Sequence, residues 1–455
     1  MHPADNELWF LPLGGCGEIG MNMNLYGHQG QWLMVDCGLT FPRKTADGRR
    51  PQAPVQMADP AFIADRREQL AGLVITHAHE DHVGAVQYLW PLLRCPVYTN
   101  AFTAEILRRK LAEQGLAGQV PITVIDLNGR RPIGPFDVQF LPVTHSIPHV
   151  SALMIRTKAG SVFHSSDWKL DANPLVGENF SPLALQQLGD EGIDALVCDS
   201  TNANVPGHSE SESALYPGLR KAIAEAPGRV VVACFGSNIA RLHTLAAVAR
   251  DSGRYMGLLG RSLVTMQAAA RATGLWLDQH PLINPAHLGY LPSHEVLAVA
   301  TGSQGEPRTA LTRLARDDHP DLTLEPGDTV LFSARAIPGN EADIQRLMDQ
   351  LRDRGIRIIT PEMSELPIHA SGHPAADELR KLFGWIRPGL LIPVHGEAEH
   401  MQANHDLAAD CGIHKRLLGQ NGDLFMIKPY PGIRRGVVNT GRLGMEKGSL
   451  VPVTD

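Results

Sequence analysis

The chain has 455 residues, 43% hydrophobic and 20% charged, with a formal net charge of −7. That apolar share excludes intrinsic disorder, and with no run of about 18 apolar residues a membrane-spanning helix is excluded. The acidic balance excludes a surface that grips nucleic acid everywhere, though not a local basic cleft.

The length predicts two or three domains. No basic segment followed by an apolar one opens the chain, so no signal peptide is read and a cytoplasmic location is expected. Six dispersed cysteines without a CxxC pair read as buried thiols of a reducing compartment.

In chain order, strands are predicted at Leu8–Leu13, Gln31–Val35, Gly72–Thr76, Val97–Thr99, Ile122–Asp126, Val138–Val143, Leu153–Thr157, Ser161–His164 and Ala195–Cys198. Helices fit at Gly84–Leu93 and Thr103–Gln114. Many strands with few helices imply stacked sheets covered by helices. From residue 206 the rhythm changes. A helix over Ser209–Ala226 opens on the capping pattern Ser-Glu-Ser-Glu. Strands VVVACF, MGLLG, VLAVAT, TVLFSA and IRIIT then alternate with helices at Asn238–Asp251, Ser262–Thr273, Pro307–Ala315 and Glu341–Arg354. Such a series predicts an open parallel sheet with helices on both faces. The short-strand pattern returns at Leu390–Val394, with a helix at Glu397–Cys411.

The simplest organisation is one domain interrupted by another. Residues 1–205 form its first part, 206–361 the insert, 362–430 the return segment and 431–455 a tail. The whole acidic excess lies outside the insert.

The sharpest feature is Thr76-His77-Ala78-His79-Glu80-Asp81-His82, directly after the strand-like LAGLVIT. Histidines at i and i+2 project to one side of extended backbone. Asp81 and His82 can then serve a second metal nearby. Imidazole with carboxylate suits Zn²⁺, with Mn²⁺ or Fe²⁺ as competitors. His145 follows VQFLPVT and Asp167 follows SVFHSS, each where a strand meets a loop. Two metals about 3.5–4 Å apart need a bridging carboxylate, and Asp167 would supply it.

HxHxDH with a later His and a later Asp at strand ends resembles the metallo-β-lactamase superfamily. Asp36 in LMVDCG is similar to its first motif, which supports the metal loop without binding metal. The 206–361 segment resembles the β-CASP insert of nucleic-acid-processing members. Asp199 in CDSTNA, His373 in HASGH and His395 in IPVHGE match that group's motifs A, B and C. GGCGEIGMNMNLY, GRSL, ATGSQGEP, AIPGNE and QNGDLF are similar to the ribonuclease J family from about residue 10 to 428.

The resemblance implies an α/β chain: a metallo-β-lactamase αββα sandwich with an inserted β-CASP domain of mainly parallel sheet. It assigns His77, His79 and His145 to one metal, Asp81, His82 and His395 to the other, and Asp167 to the bridge, for two Zn²⁺ or two Mn²⁺. Asp199 and His373 then join Asp81 as catalytic residues, His373 protonating the leaving 3′ oxygen. Phe235-Gly236-Ser237 and His369-Ala370-Ser371-Gly372-His373 would hold a terminal 5′ phosphate, giving a 5′→3′ exonuclease on single-stranded RNA with a measure of endonuclease activity. Phe235 reads as a stacking platform or, more simply, as a buried strand residue.

Two departures stand out. The family's usual C-terminal domain has no counterpart before Asp455, so a monomer or weak homodimer is expected, with membership of an RNA-decay complex also open. The loop after GLTFP carries Arg43, Lys44, Arg49 and Arg50 in place of an acidic one, which argues against an extra structural cation there. Two other readings compete: a hydrolase of lactones, esters or β-lactams on the same centre, and a non-catalytic RNA-binding subunit. The insert with HASGH argues against the first, and seven intact ligand positions against the second.

Overall fold

The computed structural model describes residues 1–42, 53–178, 181–276, 281–337 and 339–453. The basic loop with Arg43, Lys44, Arg49 and Arg50 lies outside them. Among the described residues the strands form four sheets. An eight-stranded sheet runs in the order 432–434, 424–428, 8–14, 23–28, 31–35, 70–74, 97–99, 122–124. A six-stranded sheet runs 391–394, 195–199, 161–164, 150–156, 136–143, 130–133. Their inner faces meet in one core, with Phe10, Tyr26, Leu33, Val35 and Val74 from the first sheet and Phe140, Leu153, Val162, Val197 and Ile392 from the second. Helices Val86–Leu93 and Ala101–Glu113 cover the first sheet's outer face, and helices Pro182–Glu191 and Ala376–Ile386 the second's. This is the αββα sandwich.

Between Asp199 and Leu391 the chain builds a separate five-stranded parallel sheet, ordered 255–259, 296–300, 230–233, 329–332, 357–359. The strands VVVA and VLAVA are buried at every position, as expected of parallel strands covered on both faces. Helices Ile239–Asp251 and Arg261–Ala272 pack one face, and Ala310–Ala315 and Glu341–Asp353 the other.

Two expectations are corrected and the tail gains a structure. The Ser209–Ala226 segment holds a 3₁₀ turn at Glu212–Leu215 and a helix at Tyr216–Ala224. Ser211 Oγ caps that turn, accepting from the Ser213 N–H at 3.2 Å, and also donates to Asp171 at 2.6 Å, while Ser209 Oγ donates to the His373 carbonyl at 2.5 Å. The 431–455 tail is built into sheets. Gly432–Arg434 pairs with Leu424–Lys428, and the hairpin of Arg442–Glu446 and Ser449–Pro452 pairs with Gln56–Ala58. Phe235 lies beyond the end of strand Val230–Ala233 and is 38% exposed, so it is not a buried strand residue.

Among the described residues no helix is long and apolar enough to cross a membrane. All six cysteines are free, and five are buried.

Candidate metal centre

The two sandwich sheets present their functional residues at one common edge. Strand Leu70–Val74 leads through a loop at His77–His79 into the short helix Glu80–Val83, and strand Phe136–Val143 leads to His145. Strands Ser161–His164, Ala195–Asp199 and Leu391–Val394 are parallel neighbours, so Asp167, Asp199 and His395 leave the sheet side by side. Asp36, Ser166 and His395 all hold positive φ, a conformation that costs about 1–3 kcal/mol and persists where the surroundings over-determine it.

The loop is tied down from behind. Asp36 accepts from the Thr76 N–H at 2.8 Å and the Thr76 hydroxyl at 2.9 Å, and its Oδ2 lies 2.7 Å from His82 Nδ1. Gly38 lets the chain pass the Asp81 carbonyl, since a Cβ there would lie 1.6 Å from that oxygen. Asn100 caps helix Ala101–Glu113 and donates to the carbonyls of Thr76, at 3.3 Å, and His149. One side chain thus starts a helix and pins the strand end before His77.

Every metal-ligating candidate converges. His79 Nδ1 lies 3.1 Å from both His77 Nε2 and His145 Nε2. Ligand atoms of His77, His79, His145 and Asp167 all lie within 4.8 Å of one another, as do those of Asp81, His82, Asp167 and His395. Asp167 Oδ2 is 3.2 Å from His82, 3.7 Å from His145 and 3.8 Å from His77, and Oδ1 is 3.8 Å from His395. Asp81 Oδ2 is 3.1 Å from His395 Nε2. His373 Nδ1 meets Asp199 Oδ2 at 2.8 Å, with its Nε2 4.0 Å from Asp167.

The donors suit divalent cations. Three imidazole nitrogens face one another at His79, and one N–H cannot satisfy both 3.1 Å contacts. A cation between them resolves the facing lone pairs. Burial holds His77 and His145 well below the usual imidazole range and pushes His79 down to about 4, so these rings are neutral donors. Burial disfavours charge on Asp167 too, but His395, His82 and His373 outweigh it and keep the carboxyl well below its ordinary range. His82 and His395 are likewise buried, yet the carboxylates around them, Asp167 foremost, raise both well above the ordinary value.

The proposed phosphate loops lie against this cluster. Ser237 Oγ is 3.0 Å from His79 Nε2, and the Gly372 carbonyl is 2.5 Å from His145 Nδ1. Only glycine fits at 372, because a Cβ would lie 2.6 Å from the His145 ring. Ser371 Oγ accepts from Asn202 Nδ2 at 2.8 Å. The His369 ring is turned aside, 3.3 Å from the Ser333 carbonyl, and burial pushes it down to about 3. Ala370 is buried.

Several site residues carry no sequence signal. Thr201, whose hydroxyl is 2.8 Å from His395 Nδ1, and Asn22, 3.1 Å from His82 Nε2, are single polar residues in loops. The strings that hold them, CDSTNA and GGCGEIGMNMN, were the only pointer.

Fold and donor set together define a metallo-hydrolase of the metallo-β-lactamase superfamily with a β-CASP insert. Family models match in the same order: a β-lactamase superfamily domain over residues 31–223, a ribonuclease J β-CASP domain over 227–351, and a Zn-dependent metallo-hydrolase RNA specificity domain over 367–417. The chain is 44% identical over 431 residues to ribonuclease J of Sinorhizobium meliloti, covering 94% of this chain and 75% of that protein. It is 39% identical over 423 residues to ribonuclease J of Mycolicibacterium smegmatis (92% and 74%), and 33% over 446 residues to that of Helicobacter pylori (97% and 64%). A solved structure of a protein of unknown function from Enterococcus faecalis shares the fold at a TM-score of 0.64 and 18% identity, covering 92% of this chain and all of that one. The chain belongs to the ribonuclease J family of metal-dependent ribonucleases.

Proposed function

We propose that the protein removes nucleotides one at a time from the 5′-monophosphate end of single-stranded RNA, using two divalent cations, Zn²⁺ or Mn²⁺. The observation that carries this reading is the contact of both phosphate-loop candidates with ligands of one metal: Ser237 on His79 and Gly372 on His145. A phosphate held there places the first internucleotide phosphorus beside the cluster.

His77, His79 and His145 would hold one cation and Asp81, His82 and His395 the other, with the Asp167 carboxylate close to both sets. When bound, the pair activates water and stabilises charge on the phosphoryl oxygens. This chain's residues do the rest. The Ser371 hydroxyl and the backbone N–H groups around it receive the terminal phosphate; His369, turned towards Ser333, supports the loop. Asp199 fixes His373 through Nδ1 and leaves Nε2 towards the cleft. Burial opposes charge on that ring, but Asp199 and Asp167 outweigh it and raise it above the ordinary value. His373 therefore holds the proton that the leaving 3′ oxygen needs. Water adds to phosphorus, the P–O3′ bond breaks, and the shortened RNA carries a new 5′ monophosphate, again a substrate. Phe235, exposed two residues before Ser237, offers a base a stacking surface.

A 5′ hydroxyl leaves the loop's donors unpaired, costing about 1–3 kcal/mol per buried group, or roughly tenfold to a hundredfold in rate. Matched RNAs with 5′ monophosphate, triphosphate and hydroxyl ends test this. The monophosphate form should be degraded fastest, to mononucleotides, and Ser371→Ala should shrink that preference more than it slows internal cleavage. Equal rates on all three ends, together with efficient lactone or β-lactam turnover, would replace this reading with the small-molecule hydrolase.

A further inference from the structure

We propose that Ser237 is a positioning residue through which the inserted domain holds the metal ligand His79. Ser237 lies between strand Val230–Ala233 and helix Ile239–Asp251 of the insert, while His79 belongs to the sandwich. Its Oγ is 3.0 Å from His79 Nε2, and the ring's Nδ1 faces His77 and His145. A ring that gives Nδ1 to a cation carries its hydrogen on Nε2. His79 therefore donates and the Ser237 oxygen accepts. Such outward bonds fix a ligand ring's tautomer and orientation. The hydroxyl keeps its own hydrogen, free to donate to a phosphate; this last clause rests on the reading above.

Ser237 does not sit on a loose turn. Its neighbour Asn238 caps the following helix, accepting from the Arg241 N–H at 2.8 Å, and donates to Glu212 Oε1 at 2.8 Å. Arg241 bonds both Glu212 oxygens at 3.0 Å and the Ser333 carbonyl at 2.8 Å. Ser333 Oγ donates to the Ile368 carbonyl at 2.6 Å, at the entrance to the HASGH loop. Glu212, Asn238, Arg241 and Ser333 are all buried. A buried, fully paired network of this kind holds one geometry, so the insert presents Ser237 to His79 at a fixed place.

The test is calorimetric titration of the metal-free full chain with Zn²⁺ alone, for wild type, Ser237→Ala and Ser237→Thr. Ser237→Ala should weaken one zinc equivalent by about 10–100-fold and leave the other unchanged. Ser237→Thr, which keeps the hydroxyl, should bind both as wild type does. Zinc affinities of Ser237→Ala equal to wild type, equal loosening of both equivalents, or a Thr variant as weak as the Ala variant would each overturn the assignment. No RNA enters this titration, so its outcome is separate from that of the 5′-end experiment.

Discussion

The two halves of the metal centre are backed by different chemistry. Behind His77, His79 and His145 the outward ring nitrogens meet neutral groups: the Thr76 hydroxyl at 3.0 Å, the Ser237 hydroxyl at 3.0 Å and the Gly372 carbonyl at 2.5 Å. Behind His82 stands the Asp36 carboxylate at 2.7 Å; behind His395 stand the Thr201 hydroxyl at 2.8 Å and the Asp199 carboxylate at 3.5 Å. A carboxylate behind an imidazole makes it a more basic ligand. The first half therefore offers neutral rings aligned by contacts that reach into the insert and the return segment. The second is more basic, its two rings raised by the carboxylates around them, and is braced within the sandwich. Geometry sets the first half and electrostatics the second.

The largest effect should come from the residue the halves share. Asp167→Asn removes the carboxylate that approaches ligands of both. Losing several kcal/mol of charge stabilisation should lower kcat/KM on RNA by about a thousandfold or more, with the circular dichroism spectrum unchanged. Residual activity near wild type would mean the halves work without a common ligand.

Asp36→Asn strikes the second half directly, through His82, and touches the first only through Thr76. It should weaken one zinc equivalent by about 10–100-fold, read by calorimetry, while the other holds. Loss of both together would show that Asp36 acts through the Thr76 strand end more than through His82.

Acidification should separate the halves as well. His82 and His395 are raised well above the ordinary imidazole value, so a cation must displace their protons. Proton competition on that side therefore begins well above the ordinary imidazole range and strengthens as pH falls. His79 is pushed down to about 4, with His77 and His145 also well below the ordinary value. Their side keeps its donors until pH approaches that range. Zinc titrations at stepped pH should show one equivalent lost before the other, and parallel loss would break the distinction.

The smallest effect belongs to Thr201→Val. It removes the hydroxyl behind His395 but leaves Asp199, so zinc affinity should fall less than in Asp36→Asn. An equal fall would show that the carboxylate is not what distinguishes the second half.

What the sequence made legible follows from locality. His77, His79, Asp81 and His82 lie in one short stretch that runs from a strand end into helix Glu80–Val83, and His145, Asp167 and His395 each follow an apolar strand, so strand prediction located them. The parallel sheet of the insert was legible because its strands are continuous apolar runs. Strand Met23–His28 was not: it buries Asn24 and His28 among apolar residues and breaks the alternation that marks a strand. The tail hairpin was hidden because Arg442–Glu446 and Ser449–Pro452 are mostly half-exposed and take their partner from Gln56–Ala58, far away in the chain. Ser237, Thr201 and Asn22 act on ligands far away in sequence, in contacts that no spacing rule encodes. The Ser-Glu-Ser-Glu segment misled only on where the helix begins: Ser209 bonds the His373 carbonyl across the fold, and Ser211 caps the 3₁₀ turn that precedes Tyr216.

The proposed mechanism rests on a centre for two cations that share Asp167. Anomalous diffraction at the zinc edge, from crystals of the full chain reconstituted at neutral pH, tests it most directly. Two peaks are predicted, one among His77, His79 and His145 and one among Asp81, His82 and His395, with Asp167 between them. A single peak, or a second peak away from Asp81 and His395, would contradict it.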